Sequence, residues 1–283
     1  MSAPLNADLH CHSTFSDGLL SPTEVVARAR TNGVQLLALT DHDELSGLTE
    51  ARQAARQAGV PFVNGVEISI SWLDQSVHIV GLGIDPEARA LADGLAAVRA
   101  GRDTRARRIG DELARIGIRD AYEGAAAYAE NPSLIGRAHF ARYLVSIGAA
   151  RDTQEVFEHY LVRGKPGFVD HEWATLEQAV HWIHDAGGLA VVAHPGRYRF
   201  SRAEMTQLFD RFAALGGDGV EVVTSSHTRA QMLDYASVAR RYHFLASRAS
   251  DFHGPGESQF DLGRIPPLPP DLTPVWAHLS ALP

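Results

Sequence analysis

Short apolar runs alternate with stretches of helical periodicity along this chain. Runs such as "LLAL" at 36–39 and "LAVVA" at 189–193 are typical of parallel strands that are buried on both faces. The pattern predicts seven strands, at Ala7–His10, Gln35–Thr40, Pro61–Ile70, Val77–Ile84, Gly188–His194, Gly219–Thr224 and Phe244–Ser250. Because helical stretches separate strands, we expect βαβ units and an α/β fold, with a seven-stranded barrel that is incomplete or distorted.

The segment from Asp85 to Trp173 interrupts this alternation. It is rich in Ala, Arg and Glu, has the periodicity of several helices and contains no convincing core strand. Active sites of α/β barrels lie at the carboxyl ends of the strands, so an insertion after a strand is expected to cover that face. We therefore predict a barrel formed by residues 1–84 and 174–283 and an inserted helical cap formed by residues 85–173.

The composition indicates a soluble globular protein and argues against several other classes. Of the 283 residues 45% are hydrophobic, yet no run of about 18 apolar residues is present, so no membrane span is expected. The first ten residues lack the basic and apolar regions of a signal peptide. Cys11 is the only cysteine, which excludes an intramolecular disulfide and fits a cytoplasmic location. A net charge of −8 argues against a broad basic surface for long nucleic acids.

Side chains that bind metals recur where the predicted strands end. In "ADLHCHSTFSDG" (7–18), the two-residue period of a strand puts Asp8, His10 and His12 on one face, and Leu9 and Cys11 on the other. Later strands lead into "LTDHDE", "GVEIS", "HIVGLGI", "AHPG" and "SDFHG". The candidate ligands are His10, His12, Asp17, His42, Glu67, His78, His194, Asp251 and His253. Such groups are costly to bury unless they are paired or bind metal, so the set predicts a site for divalent ions.

Three further carboxylates near the strand ends have two open interpretations. Asp8, Asp41 and Glu221 either bind metal themselves or orient the ligating histidines through hydrogen bonds.

These motifs resemble those of the PHP (polymerase and histidinol phosphatase) family of metal-dependent phosphoesterases. The resemblance covers nearly the whole chain, and it is strongest to the stand-alone branch of 3′,5′-nucleoside bisphosphate phosphatases and 5′-to-3′ exoribonucleases that act on short RNA. It implies a distorted seven-stranded barrel with two or three divalent ions. The implied ligand sets are His10, His12, Glu67 and Asp251, then Glu67, His78 and His194, then Asp17, His42 and His253. Some members have histidine where Asp17 stands, and this harder ligand favours Mn²⁺, with Fe²⁺ or Zn²⁺ as alternatives.

Divalent ions suit phosphoester hydrolysis because they activate water, hold phosphoryl oxygens and stabilise developing charge. The expected nucleophile is a metal-held hydroxide, since the sequence has no serine-centred motif and Cys11 is expected to face away. His194 and Asp251 are predicted to act in catalysis through the metals, and His194 and His227 are candidates for giving a proton to the leaving oxygen. The only lysine, Lys165, lies in a predicted loop, which argues against a carbamylated-lysine amidohydrolase.

The predicted cap carries a candidate phosphate pocket. In "RAGRDTRARR" (99–108), helical spacing places Arg102 and Arg105 on one face, where their guanidinium groups suit bidentate binding of a phosphate. "NPSLIGRAHFAR" (131–142) adds Arg137 and His139. The alternative is an ordinary solvated basic helix face. A second, non-reacting phosphate bound in this pocket would select a nucleotide with two phosphates.

The sequence therefore predicts a hydrolase that removes the 3′-phosphate of a 3′,5′-bisphosphonucleotide and leaves the 5′-monophosphate. An exoribonuclease on short RNA, a histidinol-phosphate-type phosphatase and a catalytically silent metal-binding module are the alternatives. The expected partners are a small nucleotide or short RNA, and neither a membrane nor an obligate protein partner is expected.

Overall fold

Residues 4–279, the part of the chain that our computed structural model describes, form seven strands and nine α-helices, with 3₁₀ turns at Pro132–Leu134, Pro195–Arg197 and Val275–His278 and a π-helical turn at Phe157–Leu161. The strands are β1 (Ala7–Asp8), β2 (Leu36–Leu39), β3 (Phe62–Trp72), β4 (Gln75–Leu82), β5 (Leu189–Val192), β6 (Gly219–Thr224) and β7 (Leu245–Ala249). The helices are α1 (Pro22–Thr31), α2 (Gly47–Ala58), α3 (Arg89–Arg115), α4 (Ala121–Ala126), α5 (Arg137–Ser146), α6 (Thr153–Val156), α7 (Leu176–Asp185), α8 (Arg202–Ala214) and α9 (Arg229–Tyr242). Across 4–279, every helix is too short or too polar to cross a bilayer.

The strands pair in sequence order, from β1 to β7. The first three are parallel to one another, as are the last three. Backbone hydrogen bonds from Leu9 N to Arg248 O (3.2 Å) and from Asp251 N to His10 O (2.9 Å) join the last strand to the first. The prediction of a distorted seven-stranded α/β barrel is therefore confirmed.

Strand β4 departs from the predicted parallel arrangement, because it is antiparallel to both β3 and β5. Only Leu73 and Asp74 separate β3 from β4. Such a short connection makes a hairpin, since parallel neighbours need a crossover of about a dozen residues or more. The expectation of βαβ units throughout is wrong here. As a result His78, near the start of β4, lies at the barrel end where the parallel strands finish.

The insertion starts from the opposite end of the barrel, because β4 runs in reverse. Helix α3 has 27 residues and is about 40 Å long, enough to travel along the barrel to its other end. Leu91 and Leu95 near its start are buried in the barrel core. Ile109 and Leu113 near its end belong to a separate hydrophobic cluster within the insertion. The boundaries of the predicted barrel and cap stay a prediction.

Small and branched side chains fill one end of the barrel interior. The buried members of this cluster are Ala7, Leu9, Leu36, Ala38, Val63, Val80, Leu82, Val191, Ala193 and Val275. Val275 comes from the segment after the Pro-rich stretch 266–274, which is held against β7 by a hydrogen bond from Ala246 N to Thr273 O (2.8 Å). This apolar filling leaves the other end of the barrel to the polar side chains of the strand ends.

Candidate active site

All nine ligands predicted from the sequence lie together at the barrel end where the parallel strands finish. They come from β3 and β4 and from the segments after β1, β2, β5 and β7. Their donor atoms form overlapping groups in which all atoms lie within 4.8 Å of one another. The groups are His12, Asp17, His42 and His253; His10, Glu67 and His194; His10, His12 and Asp251; and His42, Glu67 and His78.

His10 reaches this cluster because strand alternation stops after β1. Leu9 lies in the barrel interior, whereas the Asp8 carboxylate points away and accepts hydrogen bonds from the N–H groups of Ser250 (2.8 Å) and Gly263 (2.7 Å). The prediction that Asp8 shares a face with His10 is therefore wrong. The physical reason is that β1 ends at Asp8, so the two-residue period does not continue. Asp8 instead links β1 to the segment that directly follows β7 and to the loop at Gly263.

Glu67 lies at the centre of the cluster. Its Oε1 is 2.7 Å from His78 Nδ1 and 2.9 Å from His194 Nε2. Its Oε2 is 2.9 Å from His42 Nδ1 and 3.2 Å from His10 Nε2. A carboxylate with imidazoles on both oxygens is suited to bridging two ions.

A second carboxylate, Asp251, completes one ligand set. The Nε2 atoms of His10 and His12 are 3.1 Å apart, and Asp251 Oδ1 lies 3.5 Å and 3.4 Å from them. Glu67 Oε2 also lies 3.3 Å from His12 Nε2. Glu67 Oε2 and Asp251 Oδ1 thus each lie within 3.5 Å of both histidine nitrogens, and these four residues are the first set that the family resemblance implies.

The third implied set lies nearer the cavity. Asp17 Oδ1 is 3.4 Å from His253 Nε2, and Asp17 Oδ2 is 3.9 Å from His42 Nε2. All three side chains are partly exposed, unlike Glu67. This set would therefore be the most accessible to a substrate.

Several atoms of the cluster are buried without a hydrogen-bond partner. They are Asp17 Oδ1, His42 Nδ1, Glu67 Oε2, His194 Nδ1 and Asp251 Oδ1. The His42 and Glu67 atoms are close to each other but are not aligned for a hydrogen bond. Unsatisfied buried polar atoms are rare because they cost free energy. Mixed imidazole and carboxylate donors suit Mn²⁺, Fe²⁺ and Zn²⁺, so the residues present fit divalent ions.

The carboxylates of the cluster are held in the ionised form. Burial opposes their charge, but neighbouring imidazoles, His42 foremost, keep the pKa of Glu67 well below its usual range. Nearby histidines outweigh burial in the same way and lower the pKa of Asp17 and Asp251. Burial lowers the pKa of His194 to about 4. A neutral His194 ring has a free lone pair at neutral pH, which favours metal binding over proton donation.

Glu221 supports two of these histidines from outside the cluster. Its Oε1 lies 2.7 Å from His10 Nδ1, and its Oε2 accepts a hydrogen bond from His194 N (2.6 Å). Asp41 accepts instead from Ser16 Oγ (2.5 Å) and so braces the loop after β1. The sequence left open whether Glu221 binds metal itself or orients a ligating histidine. Its contact with the ring of His10 fits the second interpretation.

Two candidate ligands have left-handed backbone conformations. The φ angle is 27° at His194 and 52° at Asp251. Residues other than glycine rarely adopt such angles, and they persist only where the surrounding structure holds them. The strain therefore lies at the strand ends that carry the cluster.

A cavity of about 700 Å³ opens above the cluster, between the barrel and the insertion. Its size is within the range of pockets that bind small molecules, about 300–1,000 Å³. The cluster contributes Asp17, His42, His78, Asp251 and His253 to its wall, and the insertion contributes Arg102, Arg105, Arg137, Phe157 and Trp173.

The three predicted arginines of the insertion line this cavity but have different partners. Arg102 donates from Nε to Asp43 Oδ2 (3.1 Å). Arg105 donates to the Val169 carbonyl (3.3 Å), and burial together with neighbouring guanidinium groups lowers its pKa. Burial and neighbouring guanidinium groups also lower the pKa of Arg137 to about 10. Among the described residues no carboxylate pairs with Arg105 or Arg137, so both are available to an anionic ligand.

Two predicted site residues lie elsewhere. His227 has both ring nitrogens occupied, since Nδ1 donates to Val222 O (3.1 Å) and Nε2 accepts from Gly196 N (2.9 Å). These contacts do not support a role of His227 as a proton donor, which stays a prediction. His139 is buried and accepts from Gly136 N (3.0 Å) at the start of α5. Among the described residues it does not line the cavity, so its assignment to substrate binding stays a prediction without support from this contact.

Arg197 is a residue of the site that was not predicted from the sequence. Its Nη1 donates to Asp251 Oδ2 (2.9 Å), and its half-exposed side chain lines the cavity. A basic residue three positions after a strand-end histidine, in "AHPGR", was the available signal. Trp173, which lies under the guanidinium groups of Arg102 (4.8 Å) and Arg105 (5.4 Å), had no comparable signal because the contact joins distant segments.

The fold and the site define a PHP-type barrel, and the chain belongs to the PHP domain family, whose model matches residues 8–160. The resemblance found in the sequence is therefore confirmed. The chain is 51% identical over 276 residues to a 3′,5′-nucleoside bisphosphate phosphatase from Chromobacterium violaceum, covering 98% of this chain and 97% of the relative. It is 44% identical over 269 residues to a 5′-3′ exoribonuclease from Haemophilus influenzae, covering 95% and 97%.

Solved structures show the same fold. One from Chromobacterium violaceum, described as an amidohydrolase with bound sulfate and no metal, has a TM-score of 0.94 at 51% identity and covers 96% of this chain and 95% of that one. A chain from Bifidobacterium adolescentis that is assigned to the metal-dependent phosphoesterases has a TM-score of 0.82 at 27% identity and covers 99% of both.

Proposed function

We propose that this protein is a metal-dependent phosphoesterase that removes the 3′-phosphate of a 3′,5′-nucleoside bisphosphate. One observation carries the proposal. Five of the nine clustered residues line a cavity whose wall also includes Arg105 and Arg137, two arginines that have no carboxylate partner among the described residues. The cluster suits the reacting phosphate, and the arginines suit a second one. The named activity of the 51% identical relative agrees with this assignment.

Two or three divalent ions would be held by the overlapping ligand sets, and the carboxylate of Asp17 makes Mn²⁺ the best fit, with Fe²⁺ or Zn²⁺ as alternatives. When bound, such ions lower the pKa of water and stabilise the charge that develops in the transition state. Elemental analysis should find two or three equivalents per chain, and chelation should abolish the activity. A protein that retains no stoichiometric metal under any loading condition would overturn the proposal.

Arg197 is placed to hold the reacting phosphate. One of its N–H groups pairs with Asp251, and the remaining donors are free to reach phosphoryl oxygens in the cavity. Arg105 and Arg137 would orient the substrate through its 5′-phosphate. Phe157 and Trp173 line the same cavity, and their rings lie against the guanidinium groups of Arg137 and Arg105.

Hydrolysis of short RNA from its 5′ end is the second candidate function. The same arginines would hold the terminal 5′-phosphate while the cluster faces the first phosphodiester. The named activity of the Haemophilus influenzae relative favours this alternative. A histidinol-phosphate-type activity is disfavoured because the uncompensated arginines suit a second anion, and a silent module because all nine ligand positions are retained.

The test compares kcat/KM for adenosine 3′,5′-bisphosphate, adenosine 3′-phosphate and a 5′-phosphorylated short RNA, all with the metal-loaded enzyme. A charge-assisted hydrogen bond contributes about 1.5–3 kcal/mol, so the bisphosphate should exceed the 3′-phosphate by at least about tenfold. Arg137→Ala should reduce the ratio of the two kcat/KM values. The control is Arg108→Ala, which changes an exposed arginine of α3 and should leave that ratio unchanged. Equal kcat/KM values for the two nucleotides would contradict the arginine pocket, and a higher value for RNA would favour the exoribonuclease.

A further inference from the structure

Asp43 joins the insertion to the metal-ligand cluster. It follows the candidate ligand His42 directly, is fully buried and has a left-handed backbone with φ of 51°. Its N–H donates to Glu67 O (2.9 Å), and its carbonyl accepts from Arg99 Nη1 (2.6 Å). His42 itself pairs with Glu67 in an isolated parallel bridge. The position of Asp43 therefore determines where the His42 ring enters the cluster.

The Asp43 carboxylate is fully engaged by protein donors. Oδ1 accepts from Ser69 N (2.7 Å), and Oδ2 accepts from Ser69 Oγ (2.9 Å). Arg102 donates to the same Oδ2 from Nε (3.1 Å) and from Nη2, which also donates to Ser69 Oγ (2.9 Å). Arg102 is only 8% exposed. Its nearest anion is thus a residue of the barrel, and most of its donors are already used.

We propose that Arg102 is a positioning residue that holds His42 in the ligand cluster through Asp43, and that it does not bind substrate. This inference rests on the proposed metal-dependent function. A left-handed aspartate needs surrounding contacts to keep its conformation. Loss of the guanidinium would leave a buried, unpaired carboxylate next to a candidate ligand, a strongly unfavourable arrangement.

The same contacts link the insertion to metal binding. Arg99 and Arg102 both lie on α3, one turn apart, and both hold Asp43. Arg105 lies one turn further along the same helix, and within residues 4–279 its one polar partner is the Val169 carbonyl. One helix thus carries a positioning arginine and a substrate-facing arginine, and their variants should have different effects.

The experiment compares Arg102→Gln, Arg105→Gln and the exposed control Arg108→Gln. Retained manganese is measured by elemental analysis after dialysis, Mn²⁺ affinity by calorimetric titration, and kcat and KM with adenosine 3′,5′-bisphosphate. Partners that orient metal ligands typically contribute about 10–100-fold to metal affinity. Arg102→Gln should therefore bind Mn²⁺ at least about tenfold more weakly and recover kcat as Mn²⁺ is raised, with KM little changed. Arg105→Gln should retain its metal and raise KM.

Asp43→Asn provides a second route if Arg102→Gln folds poorly. Asparagine has the same size and tolerates the left-handed backbone, but its amide cannot pair with Arg102 as a carboxylate does. It should reproduce the weak Mn²⁺ binding, and combining it with Arg102→Gln should add little, because both break one interaction. Circular dichroism checks that each variant is folded.

Wild-type metal retention in Arg102→Gln or Asp43→Asn, with any defect confined to KM, would overturn this inference and make Arg102 a substrate ligand. That outcome would leave the proposed function standing. A wild-type protein that binds no metal would instead remove the proposed function itself, so the two failures are distinguishable.

Discussion

The direction in which each imidazole points decides whether the cluster can hold metal. Glu221 contacts two of the histidines, His10 at its ring nitrogen Nδ1 and His194 at its backbone N–H, and so acts directly on the ring of His10. The contact at Nδ1 leaves His10 Nε2 to face Glu67 and Asp251. Such outer partners set the tautomer and the orientation of a ligating ring.

Glu221→Gln should therefore weaken Mn²⁺ binding by about 10–100-fold. Glutamine has a single acceptor oxygen, so its amide NH₂ would face either the His10 ring or the His194 N–H. Calorimetric titration of the metal-free variant measures the effect, with the exposed Glu87→Gln as the control. An unchanged dissociation constant would show that the ring of His10 is held by other contacts.

At the scale of elements, α3 connects the barrel with the insertion and packs very closely on α7. A Cβ added to Gly94 would lie 2.5 Å from the Trp182 ring, well inside the normal contact distance. The helix therefore needs glycine at this position to pass the indole. Helix α3 also carries Arg99, Arg102 and Arg105. Its position therefore determines where the arginines of the insertion line the cavity and which of them contact Asp43.

Gly94→Ala should lower the melting temperature, although alanine is favoured over glycine in helices by about 1 kcal/mol. Overpacking typically costs about 1–3 kcal/mol, which outweighs that gain. Scanning calorimetry of the metal-free protein measures the change. In a Trp182→Leu background the clash is gone, so the same substitution should become neutral or stabilising. A higher melting temperature for Gly94→Ala alone would mean that α3 and α7 shift apart easily.

At the scale of the whole molecule, the cluster joins segments from both halves of the barrel. Asp17, Glu67 and Asp251 are held ionised in a small buried volume, and they come from distant parts of the chain. Without cations these like charges repel one another. Bound metal should therefore stabilise the closed barrel as well as prepare it for chemistry.

Saturating Mn²⁺ should raise the melting temperature relative to protein in chelator. A ligand at 100 times its dissociation constant stabilises the folded state by about 2.7 kcal/mol, which corresponds to roughly 5 °C for a chain of this size. Calorimetry with Mn²⁺ and with chelator measures the shift, and Asp251→Asn should reduce it. Equal melting temperatures for loaded and metal-free protein would contradict a tightly bound cluster.

The sequence by itself determined the barrel and the meeting of the nine candidate ligands at one end of it. Strand periodicity and the positions of the strand ends are local properties, and parallel strands bring their carboxyl ends to one face of a barrel. Residues such as Glu67 and His194 could therefore be assigned to one site without knowledge of any contact. The start of α1 could also be predicted from local sequence, since Ser21 and Glu24 form the capping box that their spacing indicates.

Only the tertiary structure decided the partners of the basic side chains. A histidine or arginine in a sequence has several rotamers and many potential neighbours, and the packing of distant segments selects among them. His227 is hydrogen-bonded to Gly196, Arg102 to Asp43 and Arg197 to Asp251. The residues of each pair are 31 to 59 positions apart in the sequence. Arg105 and Arg137 have no such carboxylate partner among the described residues. These two guanidinium groups are available to a substrate because the packing of distant segments gives them no carboxylate partner among the described residues. A local sequence pattern does not contain that information.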